Sequence, residues 1–281
     1  MRWPLTRITQ RFTCSQSDLT HMHHRLLKKG MRPIFDYAVE TRGPTPSNSS
    51  NNSKVRDTVH VLTQCFAQHS GSTFALKWSG LGYDTFLAED IVGVAMDNQV
   101  TLLLDAERAD SHEATSDLAN RWMKEYNTPN KAPRIYKTYQ MYRRDTPALF
   151  SNELIDPHRK YPLGIKLVRG AYLHEERHLD VLCNSIEDTH SQYNEAIDLF
   201  ARHSKPNDVL MCATHNQHSV DLARSLNHPS IVFAQLMGMH DELSHGLVDA
   251  GCTTYKYVPF GPFWDTVPYL VRRAYEHWSN E

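Results

Sequence analysis

Short runs of β-branched and aliphatic residues punctuate this chain at regular intervals. "RPIFDYAVE" comes first, and "TFALKWS", "VTLLLDAE", "RIYKTYQMY", "GIKLVRGAY", "DVLMCATHN", "SIVFAQLMG" and "TTYKYVPFG" follow in order. Between them lie stretches with apolar residues at helical spacing, such as "KVRDTVHVLTQCFAQH", "TSDLANRWMKEYN", "HSQYNEAIDLFARH" and "SVDLARSLN". Strand and helix alternating about eight times predict parallel strands joined by right-handed crossovers. Within 281 residues this spacing predicts an α/β fold, a (β/α)8 TIM barrel, rather than an open doubly wound sheet. The glycine fingerprint of such a sheet is also missing, because "GLGYDT" has Thr85 where a third glycine would stand.

One segment interrupts the alternation. "TRGPTPSNSSNNS", residues 41–53, is polar and rich in turn formers, and is expected to be a disordered loop. Residues 1–30 read as an N-terminal segment, a remnant of a targeting or helical region, and 31–281 as the barrel. The opening "MRWPLTRITQRF" is basic, with no acid before Asp18; it weakly resembles a mitochondrial targeting segment, and a chance basic start fits equally.

Composition narrows the function classes. A net charge of −2 provides no field to gather nucleic acid, and no apolar run is long enough to span a bilayer. Five cysteines without CxxC spacing argue against a zinc site or a disulfide scaffold and suggest a reducing compartment. "HMHH" (His21, His23, His24) has no accompanying carboxylate or cysteine pattern, so a solvated polar helix is expected there and no metal.

In a barrel, the carboxyl ends of the strands converge on one mouth, where chemistry is done. Here the runs end in Glu40, Lys77, Asp105, Gln140, Arg169, Thr214 with His215 and Asn216, Gln235 and Tyr257. One polar strand end is ordinary, since strands must re-enter water. A set mixing acids, bases, amides and a phenol points to a functional mouth. Near the end, "YLVRRAYEHW" sets Arg272 beside Arg273 on a predicted helix. Its apolar residues Val267, Leu270, Val271, Ala274 and Trp278 share one face, with Arg272, Arg273 and Glu276 opposite. Read alone, that is a solvated face with an Arg272–Glu276 pair.

"LLLDAE", "TYQMYRRDT", "GIKLVRGAY", "ATHN" and the closing "KYVPFGPFWDTVPYLVRRAYEH" together resemble the proline dehydrogenase (proline oxidase) family of mitochondrial eukaryotic type. The resemblance implies a distorted barrel whose last helix lies over the carboxyl-end mouth. It implies FAD, and oxidation of L-proline to Δ1-pyrroline-5-carboxylate by hydride transfer to flavin N5. It also implies a quinone acceptor and peripheral association with the matrix side of the mitochondrial inner membrane.

The same resemblance implies roles for single residues. Asp105 and Lys166 are catalytic: the acid lies beneath the proline ring, and the lysine near the flavin's reactive edge stabilises the reduced anion. Lys77, Tyr172, Leu236, Tyr257, Arg272 and Arg273 bind substrate, the two arginines clamping its carboxylate. Gln140, Arg169, Gly170, Ala171, Thr214, His215 and Asn216 hold the cofactor, and Glu40 and Glu276 belong to the gate. Without the motifs, Lys77 would read as a snorkelling strand-end lysine and Asp105 as a cap. A tyrosine at position 257 suits proline, whereas the hydroxyproline-oxidising branch has a smaller serine there. Departures are a short connection, "GLGYDTFLAEDIVGVAMDNQ", where the family has a longer second helix, and little helical sequence before the first strand. Hydroxyproline oxidation and an inactive truncated paralogue are therefore the alternatives.

Replacing Arg272 or Arg273 singly with Met tests the clamp. Each change should raise apparent KM for proline at least about tenfold with the melting temperature nearly unchanged, because a lost guanidinium–carboxylate contact in a partly desolvated mouth costs about 2–5 kcal/mol. A solvated face predicts wild-type kinetics.

Overall fold

In a computed structural model of the protein, residues 11–39, 53–262, 264, 266, 267, 270 and 271 are described. Eight parallel strands close into a barrel in sequence order: β1 (Met31–Tyr37), β2 (Thr73–Leu76), β3 (Thr101–Leu104), β4 (Ile135–Gln140), β5 (Gly164–Val168), β6 (Val209–Ala213), β7 (Ile231–Leu236) and β8 (Thr254–Phe260). β8 closes on β1 over the register Met31↔Thr254 to Tyr37↔Phe260. Each strand lies in one of the apolar runs of the sequence. The helices between them are α1 (Leu19–Leu27), α2 (Ser53–Gln68), α3 (Thr85–Asp97), α4 (His112–Tyr126), α5 (Thr146–Ile155), a short α6 (Leu173–Glu176), α7 (Ile186–His203), α8 (Gln217–Ser225) and α9 (Asp241–Asp249).

Strand alternation sorts the core into two populations. Ile34, Ala75, Leu103, Tyr136, Met211, Val232 and Tyr257 pack together inside the barrel. Phe35, Phe74, Leu102, Leu104, Ile165, Cys212, Phe233 and Val258 alternate with them and pack in the layer that includes the helices. Gly164 has a steric reason: a Cβ there would lie 2.4 Å from the Ile135 carbonyl oxygen and 2.8 Å from the Tyr136 ring. Its missing side chain gives Tyr136 room within the barrel.

Polar staples fasten the ends of the strands. Arg159 donates to Asp208 through two bonds of 2.7 Å, and the same carboxylate accepts from the Leu163 and Lys205 backbone N–H groups. Asn127 spends its whole amide on the backbone of Ile135, Pro162 and Arg134.

The connection that looks short in the sequence still folds as a helix. Asp84 caps α3 by accepting from the Phe86 and Leu87 N–H groups, and Ala88, Ile91, Val92 and Ala95 are buried. The short connection thus holds a 3-10 turn at Ser79–Leu81 and a 13-residue helix. At the other end, Leu19, Met22 and Leu26 of α1 belong to the main core, so the boundary drawn at residue 30 runs through a packed unit. His21 and His24 on this helix are exposed while His23 is partly buried beside Phe35.

Of the expected loop, only Ser53 is described, and it begins α2. Glu40, Arg272, Arg273 and Glu276 lie outside the described residues. In the last segment, Leu270 packs against the cluster inside the barrel. Val271, expected on the apolar inner face, is instead 63% exposed.

Asp208→Asn should lower unfolding free energy by about 3–5 kcal/mol, since it strands a buried guanidinium. Asp180→Asn, at an exposed ion pair with Arg144, should leave the urea midpoint unmoved. Equal midpoints for the two variants would refute the staple.

Candidate active site

A cavity of about 570 Å³ opens among the carboxyl ends of the strands, a size typical of small-molecule sites. Of the residues expected at the mouth, Asp105, Gln140, Lys166, Arg169, Gly170, Ala171, Thr214, His215, Asn216, Leu236 and Tyr257 all line it. They arrive from six strands because residues at the ends of neighbouring parallel strands point the same way.

Charge is concentrated on one side. Lys166 Nζ donates to Asp105 Oδ1 at 2.7 Å, and the Tyr257 hydroxyl donates to Asp105 Oδ2 at 2.5 Å. Lys77 Nζ stands 3.7 Å from the same carboxylate and is hydrogen-bonded to Asp36. Lys166 also lies over the Tyr257 ring, 4.8 Å from its centroid, a cation–π contact. All five side chains are buried. Burial alone would push the Asp105 carboxyl up. The Lys166 and Lys77 ammonium groups and the bonds from Lys166 and Tyr257 outweigh it and hold the group below the usual carboxylate range. Asp105 is therefore an ionised acceptor at neutral pH.

The other side is built around Arg169. Its guanidinium donates to His190 Nδ1 at 2.9 Å, Thr214 Oγ1 at 2.7 Å and Ser219 Oγ at 2.9 Å, and lies 4.4 Å from the Tyr193 ring centroid. Every one of these partners is neutral. Burial, then the nearby Arg169 charge, lowers the His190 pKa and keeps it an acceptor. His215 Nε2 accepts from the Leu236 N–H at 3.0 Å, and its ring stacks on His240 at 5.1 Å. Asn216 caps α8 by accepting from the Ser219 N–H, so its structural role is visible alongside its place in the cavity wall.

Three expected residues are placed differently from the rest. Lys77, expected to bind substrate, is buried beside Asp36 and Asp105 and does not line the cavity. Tyr172 is buried at the start of α6 and does not line the cavity. Gly170 does line it, but its missing side chain also serves the protein: a Cβ there would meet the Tyr142 ring at 2.4 Å, and its φ of +142° disfavours other residues. The Tyr142 hydroxyl in turn donates to Glu176 at 2.6 Å.

Asp36, Glu107, Glu176 and His190 escaped the sequence reading. Glu107 accepts from Ser79, and its backbone carbonyl accepts from Gln140 Nε2 at 3.1 Å, which fixes that amide. Asp36 has a detectable signal, a lone acid within an apolar strand on the same face as Ile34. Glu107 lies in the loop after β3, at the end of the quoted "LLLDAE", and Glu176 ends the short helix α6; neither was assigned a role.

A closed parallel barrel with a charged cavity at its carboxyl mouth belongs to the class in which that mouth carries the chemistry. The family model for proline dehydrogenase matches residues 19–281, and the chain belongs to the proline dehydrogenase family. Proline dehydrogenase 1, mitochondrial, of Dictyostelium discoideum is 37% identical over 199 residues, covering 63% of this chain and 34% of that protein. The human protein of that name is 35% identical over 201 residues, covering 64% and 33%. Human hydroxyproline dehydrogenase is 36% identical over 201 residues, covering 64% and 43%. The chain thus spans less than half the length of these relatives. The crystal structure of proline utilization A (PutA) from Bdellovibrio bacteriovorus, inactivated by N-propargylglycine, superposes with a TM-score of 0.82 at 17% identity, covering 96% of this chain and 32% of that one. At that identity the likeness concerns the fold.

The depressed pKa of Asp105 gives its stability contribution a sign. That contribution is present above the ordinary carboxylate range and is lost as pH falls through the lowered folded-state value. The stability gap between wild type and Asp105→Asn should therefore be widest above about pH 4 and close at lower pH. A gap that is constant from neutral to acid pH would show that Asp105 is not held ionised by its neighbours.

Proposed function

We propose that this chain binds FAD in the cavity and oxidises L-proline to Δ1-pyrroline-5-carboxylate, with electrons leaving to a quinone. The observation that carries the reading is the buried set Asp105, Lys166 and Tyr257 on a cavity wall, with Lys77 3.7 Å from the Asp105 carboxylate, in a chain of this family. Peripheral association with the matrix side of the mitochondrial inner membrane is part of the same proposal, supported by two relatives named as mitochondrial. No described helix is long and apolar enough to cross a membrane.

The residues present fit the cofactor. Arg169 has a charge that no described carboxylate balances, and Thr138 Oγ1, buried and without a hydrogen-bond partner, belongs to a residue of the cavity wall. Arg169, Thr214, His215 and Asn216 would hold the phosphate and adenosine side, and Gln140, Gly170 and Ala171 the ring and ribityl side. FAD supplies the hydride acceptor. Lys166 supplies positive charge that favours a reduced, anionic ring over the oxidised one. Asp105, fixed by two cations and a phenol, orients Lys166 and Tyr257 and donates no proton at neutral pH. Tyr257 walls the substrate space, and Arg272 and Arg273 clamp the carboxylate under the control of Glu40.

Overall identity does not separate the two substrates, because the human proline and hydroxyproline enzymes match at 35% and 36%. Tyr257 separates them. Its ring, fixed by the bond to Asp105, occupies space that a 4-hydroxyl would need.

The purified chain should carry non-covalent FAD that heat denaturation releases; folded protein that stays colourless and cannot be reconstituted would defeat the reading. Tyr257→Ser should lower kcat/KM for proline by about 10- to 200-fold and admit trans-4-hydroxyproline. An unchanged ratio between the two substrates would remove Tyr257 from the pocket.

A further inference from the structure

Outside the barrel wall, between β4, α4 and α5, lies a second, far smaller cavity of about 10 Å³, the room one water needs. Its walls include His112 and Thr115 from α4 and Thr146 from α5, set among Leu104, Ala119 and Leu149. Both ring nitrogens of His112 and the hydroxyls of Thr115 and Thr146 are buried without a hydrogen-bond partner. Thr138, which lines both cavities, also has an unpaired Oγ1. Buried polar groups in native proteins are rarely left so once ordered water is counted.

The chemistry of the set selects the ligand. Hydroxyls and an imidazole offer both donors and acceptors, which suits a neutral molecule of the same kind. A cation is disfavoured, since the ring feels the positive charges of Arg143 and Lys137, and Asp145 is already held by Arg143 through two bonds. Burial, then Arg143, lowers the His112 pKa to about 4, so its ring is neutral and carries one N–H and one acceptor nitrogen. The Gln140 side chain lies close enough for a hydrogen-bond interaction that partly offsets the lowering, although it falls short of ideal hydrogen-bond geometry. The Gln140 Nε2 is committed to the Glu107 carbonyl, while its Oε1 is buried with no partner.

We propose that this space holds a resident water bound by Thr115, Thr146 and the acceptor nitrogen of His112, and that His112 turns its N–H to Gln140 Oε1. One water and one ring orientation then satisfy both His112 nitrogens, the Thr115 and Thr146 hydroxyls and Gln140 Oε1. His112 is a positioning residue: it reaches the cavity of the candidate active site only through the amide of Gln140. That second half rests on the reading of Gln140 as a cofactor contact; the water itself does not.

The two halves have separate tests. Thr115→Val and Thr146→Val keep the shape and remove one hydroxyl each. If the hydroxyls bind water, each change leaves that water short of a partner and should lower the melting temperature of the cofactor-free chain by about 2–4 °C. The double variant should lose less than the sum, because both act on one water. An unpartnered buried hydroxyl predicts the opposite sign, so an unchanged or raised melting temperature in both single variants would overturn the water site. For the positioning half, His112→Phe keeps a ring and removes both nitrogens. It should weaken FAD binding about tenfold in the wild-type background and leave it unaltered when Gln140 is already Leu. An equal effect in both backgrounds, or none in the first, would overturn the link. FAD binding to the wild type fails only if the functional reading itself fails, and the stability test stands in either case.

Discussion

Two lysines and two aspartates stand inside a barrel from which water is largely excluded, and none could keep its charge there without the others. Asp36, Lys77, Asp105 and Lys166 sum to zero, and every member has an opposite charge beside it. A single charge at any of these positions would neutralise itself or draw water into the barrel. The network also has a mechanical effect. It ties β1, the segments following β2 and β3, β5 and, through the Tyr257 hydroxyl, β8 to a single carboxylate. The architecture supplies the positions by strand alternation; the charges keep their mouth ends together.

The strands were legible because burial on both faces of a parallel barrel demands near-continuous apolar runs, and all eight runs became strands. The ends were legible because a buried run that stops at a charged residue must stop at a place that tolerates one. Asp36 was harder to find. It precedes the end of its run, and only the inward face shared with Ile34 distinguishes it from a tolerated interruption. Glu40, at the obvious end, attracted the reading instead. Tyr172 shows how finely a motif is divided: its neighbour Ala171 lines the cavity, whereas Tyr172 is buried and does not.

Length arguments were the weakest part of the sequence reading. The chain between β2 and β3 reads as shorter than the family's, yet it holds a 3-10 turn at Ser79–Leu81 and a helix capped by Asp84. Gly170 shows why single-residue roles are hard to apportion. A small residue beside a ligand space and a glycine required by a packed tyrosine leave the same trace in a sequence, and both hold here.

The distribution of charge also bears on the arginine pair near the end of the chain. Lys77 and Lys166 are the cations closest to the barrel interior, but Asp36 and Asp105 already neutralise them. A substrate carboxylate placed beside that network would find little net positive charge. Arg169 has charge to spare, yet three neutral acceptors fix its guanidinium among the ends of β5 and β6 and the start of α8. An amino-acid substrate bound beside Tyr257 would therefore gain from a further cationic centre. This gives the proposed clamp by Arg272 and Arg273, which lie outside the described residues, a reason independent of the motif: the lysines inside the barrel are paired with the protein's own carboxylates.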